Sequence, residues 1–144
     1  MITRIELDGF KTFQDFSLDL SPLQVIVGAN GVGKSNLFDA LQLLGRLADS
    51  KVGAAFHELG DEVGELFTVR HDGGSADRIR MAVEILVNQE VRDDWGASHE
   101  VKFPRMRYDL EIVRRRDAQG REGLFVEHES LAPIPRLRDR WTKS

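Results

Sequence analysis

A chain of 144 residues carrying 24 acidic and 20 basic side chains, a formal net charge of −4, fits one domain or one lobe of a larger one. Apolar residues make up 41%, a soluble-globular balance and too many for a disordered chain, and the lack of cysteine excludes a disulfide scaffold, a thiolate zinc site and a cysteine nucleophile. No apolar run approaches the ~18 residues of a membrane helix, and Met1-Ile2-Thr3-Arg4-Ile5-Glu6 has no signal-peptide core, so a cytoplasmic protein with no membrane partner is the expectation.

In chain order, residues 2–7 alternate, with Ile2, Ile5 and Leu7 set among polar neighbours, and predict a strand that turns at Asp8-Gly9. Phe16, Leu18 and Leu20 recur at period two and predict a second strand. Ser21-Pro22 breaks the chain before Val25-Ile26-Val27, a short apolar run that suits a strand buried on both faces. After the glycine-rich stretch 28–33 the period changes. Leu37, Leu41, Leu44 and Ala48 form one row, with Ala40, Leu43 and Leu47 beside it, which predicts a helix over 34–48. Residues 63–69 read as a further strand, followed by a turn at 71–75. Met81, Val83, Ile85 and Val87 alternate in the next strand. The polar stretch 89–102 reads as a loop, then Tyr108, Leu110 and Ile112 alternate, and a turn at 117–120 leads into a strand over 124–129. The last three strands suggest an antiparallel meander. The expected architecture is α/β: a mixed, largely antiparallel sheet with one long helix after the glycine-rich stretch. The whole chain, 1–144, reads as a single lobe: 1–49 hold strands, glycine-rich loop and helix, 50–130 an antiparallel strand region, and 131–144 a basic tail.

Gly28-Ala29-Asn30-Gly31-Val32-Gly33-Lys34-Ser35 matches G-x-x-x-x-G-K-[ST], the phosphate-binding P-loop, between a strand-like run and a helix. A triphosphate carries several negative charges, and a loop with few side chains can wrap it with backbone N–H groups. Gly28, Gly31 and Gly33 allow positive φ and close approach, and Asn30 is among the few other residues that tolerate left-handed geometry. The helix start points unpaired N–H groups at the phosphates. Lys34 would reach the β- and γ-phosphates, and Ser35 would offer its hydroxyl to Mg2+. A bare glycine-rich turn would explain the glycines but not Lys-Ser in the first helical turn.

Residues 1–49, through "IELDGFKTFQDFSLDL" and "VIVGANGVGKSNLFDALQLLG", resemble the N-terminal head segment of SMC, RecF and RecN proteins and related ABC-type ATPases. The shared marks are a strand followed by Gly9-Phe10-Lys11-Thr12-Phe13, a second strand, and a P-loop carrying Asn30 and a following Asn36. The strands after the helix resemble the arm strands of OLD-like ATPases. The resemblance implies ATP and Mg2+ as ligands, with Lys11, Asn30, Gly31, Val32, Gly33, Lys34, Ser35 and Asn36 in the nucleotide site and Ser35 on the metal. In those families a basic residue of the first turn contacts nucleotide phosphate, and Lys11 occupies that place; an ordinary turn lysine is the other reading. Phe10 and Phe13 read as core anchors. The resemblance further implies a nucleotide-dependent dimer, formed with the remaining half of the head or a partner head, and DNA as a candidate partner in repair, chromosome maintenance or phage defence.

Hydrolysis in such heads needs a second apolar strand ending in Asp-Glu. The runs Glu84-Ile85-Leu86-Val87-Asn88-Gln89 and Leu124-Phe125-Val126-Glu127-His128 do not supply it, nor does Gly73-Gly74-Ser75 supply a signature segment. No catalytic residue is assigned, so the chain reads as the front half of an ATPase head. A self-contained kinase or GTPase, or a non-catalytic interaction lobe, are the alternatives. Gln89 is a weak candidate for Mg2+ or water. His57, His71, His99 and His128 lack metal-ligand spacing. Trp95 reads as folding back on its own domain rather than meeting a partner, and Arg114-Arg115-Arg116 as a solvated hairpin stem rather than a DNA contact. The balance is uneven: 6 basic and 11 acidic side chains in residues 1–72, against 14 and 13 in 73–144. The basic end, with Arg136, Arg138, Arg140 and Lys143 against Asp139, reads as solvated surface.

Overall fold

The alternating strands form one sheet in the computed structural model, which describes residues 1–59, 63–70, 73–139 and 141. Its elements are β1 (Ile2–Asp8), β2 (Phe16–Asp19), α1 (Lys34–Leu47), α2 (Val52–His57), β3 (Arg78–Leu86), β4 (Glu90–Arg92), β5 (Ser98–Glu100), β6 (Arg105–Arg116) and β7 (Glu122–Pro133). Five strands lie in the order β2-β1-β3-β6-β7, and every pairing is antiparallel. The expected meander is thus β3-β6-β7, with β1 inserted against β3 in the register Ile5↔Val83 and Leu7↔Met81.

Period-two alternation divides the sheet into an apolar and a charged face. Ile5, Leu7, Ile79, Met81, Val83, Leu110 and Ile112 join Leu37, Ala40 and Leu43 of α1 and Ala55 and Phe56 of α2 in one buried core. The opposite face is a lattice of ion pairs within and between strands: Arg4 with Glu6 and Asp19, Arg107 with Glu6 and Asp109, and Arg80 and Arg78 with Glu111. The hydrogen bond from Arg107, the largest influence, holds the Glu6 carboxyl down to about 2. Interleaved opposite charges of this kind stabilise register more than they attract a ligand of either sign.

The C-terminal end folds back on the same sheet. Buried Arg105 donates to Thr3 Oγ1 at 2.6 Å, to both Asp139 oxygens at 3.0 and 3.1 Å and to Glu84 at 3.1 Å, with Trp141 stacked on its guanidinium at 5.4 Å. Arg140 and Lys143 of the expected basic tail, and His71 and Asp72 of the expected turn, lie outside the described residues.

Several expectations are corrected. Residues 25–27 are not a strand and have no ladder partner among the described residues, and Val25 and Val27 are 73% and 84% exposed. Among the described residues the sheet is therefore wholly antiparallel rather than mixed. Residues 63–69 form a 3-10 turn at Val63–Leu66, then single bridges from Phe67 to Phe10 and from Val69 to Ser75. A second helix, α2, stands beside the long one. The polar stretch 89–102 is a hairpin, β4-β5, rather than a loop. At its tip Trp95 is 90% exposed and does not fold back on the domain. The tip is built by Asp93, which accepts from the Trp95 and Ala97 amides at 3.0 and 2.8 Å, while Gly96 takes φ 85.

Candidate nucleotide site

The site begins at the β1–β2 turn. Gly9 adopts φ 74 and donates its N–H to the Phe13 carbonyl at 3.0 Å, and Phe13 N–H returns to Phe10 at 2.8 Å. Phe10 and Phe13 are buried, as their reading as core anchors requires, and Phe10 also bridges to Phe67. Thr68 clamps the turn from outside, its N–H on the Gly9 carbonyl at 2.9 Å and its hydroxyl on that of Phe13 at 3.1 Å. Sinking both phenylalanines forces the residues between them outward. Lys11 takes φ 48, with its N–H on the Leu66 carbonyl at 2.8 Å, and with Thr12 it faces the start of α1.

The glycine loop meets this turn. Gly31 and Gly33 take φ 83 and 96, so the left-handed positions fall on glycine, and Asn30 does not use the geometry it was expected to tolerate. Gly28 has no positive φ; a Cβ there would meet Val32 Cγ1 at 2.9 Å. A Cβ at Gly33 would stand 3.2 Å from Thr12 Oγ1, so close packing on the turn also requires glycine. Asn36 Nδ2 donates to Thr12 Oγ1 at 2.9 Å and closes the contact.

α1 starts directly at Lys34. Its cap, Gly33, contributes no side-chain hydrogen bond, and no acidic residue lies in the first turn. The first-turn N–H groups therefore face the loop with no side-chain acceptor. Lys34 Nζ folds over the loop and donates to the Gly28 and Ala29 carbonyls, both at 2.7 Å. Ser35 is exposed at the same end, and Asn30, Gly31 and Val32 form the exposed rim. Beside the loop an apolar cleft of about 330 Å³ runs between Phe16, Leu18, Ile26, Val27, Val32 and Leu37.

All the nucleotide-site residues named from the sequence thus sit on the loop, the first turn of α1 or the facing β1–β2 turn. Lys11 is on the facing turn, but its ammonium lies 2.8 Å from Asp39 Oδ2. Asp39 was missed; the signal available was its spacing of four from Ser35, which puts both on one helix face. Gln89 is elsewhere. It accepts from Val101 N–H at 2.6 Å beyond the end of β3 that pairs with Met1, whereas the turn at Gly9 lies at the other end of β1, roughly 20 Å away at strand rise. Of the arginine run, Arg114 stacks on Phe67 at 4.8 Å, while Arg115 covers Phe125 and pairs with Glu127.

A family model described as an AAA ATPase domain matches residues 1–96. "DNA replication and repair protein RecF" of Synechococcus sp. (strain CC9605) is 26% identical over 139 residues, 89% of this chain and 37% of that protein. "Chromosome partition protein Smc" of Methanocaldococcus jannaschii is 46% identical over 55 residues, 37% of this chain and 5% of that one. "OLD nuclease" of Thermus scotoductus is 39% identical over 44 residues, 31% and 8% of the two chains. The chain therefore spans between 5% and 37% of the length of these relatives.

Proposed function

The chain belongs to the family of AAA ATPase domains, and on that premise we propose that it binds Mg-ATP through residues 28–36, as the N-terminal lobe of an SMC/RecF/OLD-like ATPase head. The observation that carries this reading is the start of α1. A loop left-handed at Gly31 and Gly33 delivers Lys34 and Ser35 as the first two residues of a helix with neither a side-chain cap nor a first-turn acid. Unpaired N–H groups and the positive dipole end favour a polyanion there, so the residues present fit a nucleotide's phosphates.

Lys34 exchanges the Gly28 and Ala29 carbonyls for β- and γ-phosphate oxygens. The backbone of Asn30, Gly31, Val32 and Gly33 lines the cup, and Asn36 keeps the first turn against Thr12. Ser35 is the side chain that would hold Mg2+, which when bound neutralises phosphate charge, and Lys11 adds a second cation. Hydrolysis is assigned to groups beyond those described, because no Asp-Glu strand end accompanies the loop among the described residues. A partner segment or a partner head, closing in a nucleotide-dependent dimer, supplies them. Similarity to a replication and repair protein, a chromosome partition protein and a nuclease supports a role in DNA maintenance, with DNA as the macromolecular partner and the cytoplasm as the compartment; family membership favours an ATPase over a self-contained kinase or GTPase.

Titration of Mg-ATP into the wild type and Lys34→Ala, by calorimetry or with a fluorescent nucleotide, tests the assignment. Charge-assisted hydrogen bonds are worth about 1.5–3 kcal/mol, so the variant should bind roughly ten- to a hundredfold more weakly. Equal affinities would refute it.

A further inference from the structure

Lys11 has a left-handed backbone fixed by three anchors: Phe10 and Phe13 sunk on either side, and its own N–H on Leu66. That backbone sends its side chain along α1, where the ammonium meets Asp39 at 2.8 Å, with side-chain exposures of only 15% for Lys11 and 31% for Asp39. Asp39 is one of the groups that hold Lys11. It stands four residues after Ser35 and three after Asn36, hence on the same face of α1 and about 5–6 Å along it. Thr12, the neighbour of Lys11, is already bonded to Asn36 at 2.9 Å. The turn is therefore docked on this face by two adjacent side chains, one neutral contact at the helix start and one ionic contact a turn further in.

We propose that Asp39 is a positioning residue for nucleotide binding, holding the Lys11 ammonium one helical turn from Ser35 until a polyphosphate takes the place of its carboxylate. This rests on the reading of residues 28–36 as a nucleotide site. The chemistry is an exchange of anionic partners with no bond made or broken: a carboxylate of single charge yields to phosphate oxygens of higher charge, which a compact, rotatable ammonium accommodates. Before the exchange, Asp39 offsets one of two lysine charges that would otherwise repel across the loop. The exchange breaks the Lys11–Asp39 pair, and that cost is what lowers the affinity for phosphate.

The test is a double-mutant cycle read by titration of Mg-ATP, with each apo protein's thermal midpoint measured alongside. Asp39→Asn should bind Mg-ATP roughly two- to fivefold more tightly than the wild type, the range expected for a partly exposed pair. Lys11→Met should bind more weakly, and adding Asp39→Asn to it should restore little or nothing. A pair that serves structure alone would shift the midpoints and leave the affinity coupling at zero, which overturns the proposal. So would unchanged or weaker binding by Asp39→Asn, or equal tightening in the Lys11→Met background. Asp39→Ser repeats the measurement if the amide disturbs folding. If wild type and Lys34→Ala bind alike, the site reading fails and this proposal with it; if they differ and Asp39→Asn does not tighten, this proposal alone falls.

Discussion

Tyr108 is the only tyrosine of the chain, so its ionisation can be followed without interference. Its phenol, on β6, donates to Glu129 of β7 at 2.8 Å. Burial first, and then the hydrogen bond and charge of Glu129, push it up to about 12. An unfolded phenol ionises near 10. The neutral form is thus favoured by the fold: its stabilisation is fully present below pH 10 and is lost as pH rises from about 10 to 12. An absorbance titration should give a midpoint near 12 for the folded chain, with circular dichroism reporting that the fold persists, and near 10 in urea. Glu129→Gln should lower the folded midpoint only part of the way, because desolvation is the larger cause. A folded midpoint near 10 would show the β6–β7 contact to be open.

Two glycines make opposite predictions for their elements. Gly9 in the β1–β2 turn takes φ 74, and a Cβ there would stand 2.1 Å from the Arg78 carbonyl, a backbone atom that cannot step aside. Gly9→Ala should therefore destabilise by more than about 3 kcal/mol, adding a backbone clash to the cost of a left-handed alanine. Gly45 lies inside α1 with nothing within 4 Å of a Cβ, so Gly45→Ala should stabilise by roughly 0.5–1 kcal/mol. Urea midpoints of the two variants check both signs. The contrast also explains which elements were legible. α1 was read within a residue of its observed end because Leu37, Ala40 and Leu43 repeat at helical spacing and bury against the sheet; β1, β3 and β6 alternate for the same reason. β4 and β5 are exposed at every position, so no apolar rhythm marks them. α2 is six residues long, too short for a period to declare itself. The geometry of the candidate site was legible where its signal is local, in the glycines that turn the loop and in Lys34-Ser35 at the helix start. The Lys11–Asp39 contact spans 28 residues and depends on how the turn docks.

At the scale of the whole molecule the unsatisfied feature is the segment leading into the P-loop. An apolar run such as 25–27 predicts a buried strand, yet Val25 and Val27 are exposed and the run pairs with no strand among the described residues. Ile26 packs on the core, while Leu23, Val25 and Val27 point outward, and no strand lies beside their backbone among the described residues. The apolar positions of the central strand, by contrast, have neighbours: Val83 of β3 sits between Ile5 of β1 and Tyr108 of β6. The chain alone should therefore be locally soft at this segment, which leads directly into the glycine loop. Hydrogen exchange reads this directly, since unpaired amides open at almost no cost whereas central strands open near the global limit of 5–15 kcal/mol. Amides of residues 25–27 should exchange at least about a thousandfold faster than that of Val83 in the chain alone. Mg-ATP alone should protect residues 28–36 more than 25–27, because phosphate binds the loop but adds no strand. Only association with a partner segment should slow 25–27 toward the rate of β3. Slow exchange there in the lone chain would mean that the segment is already paired, and would count against the proposed partner segment.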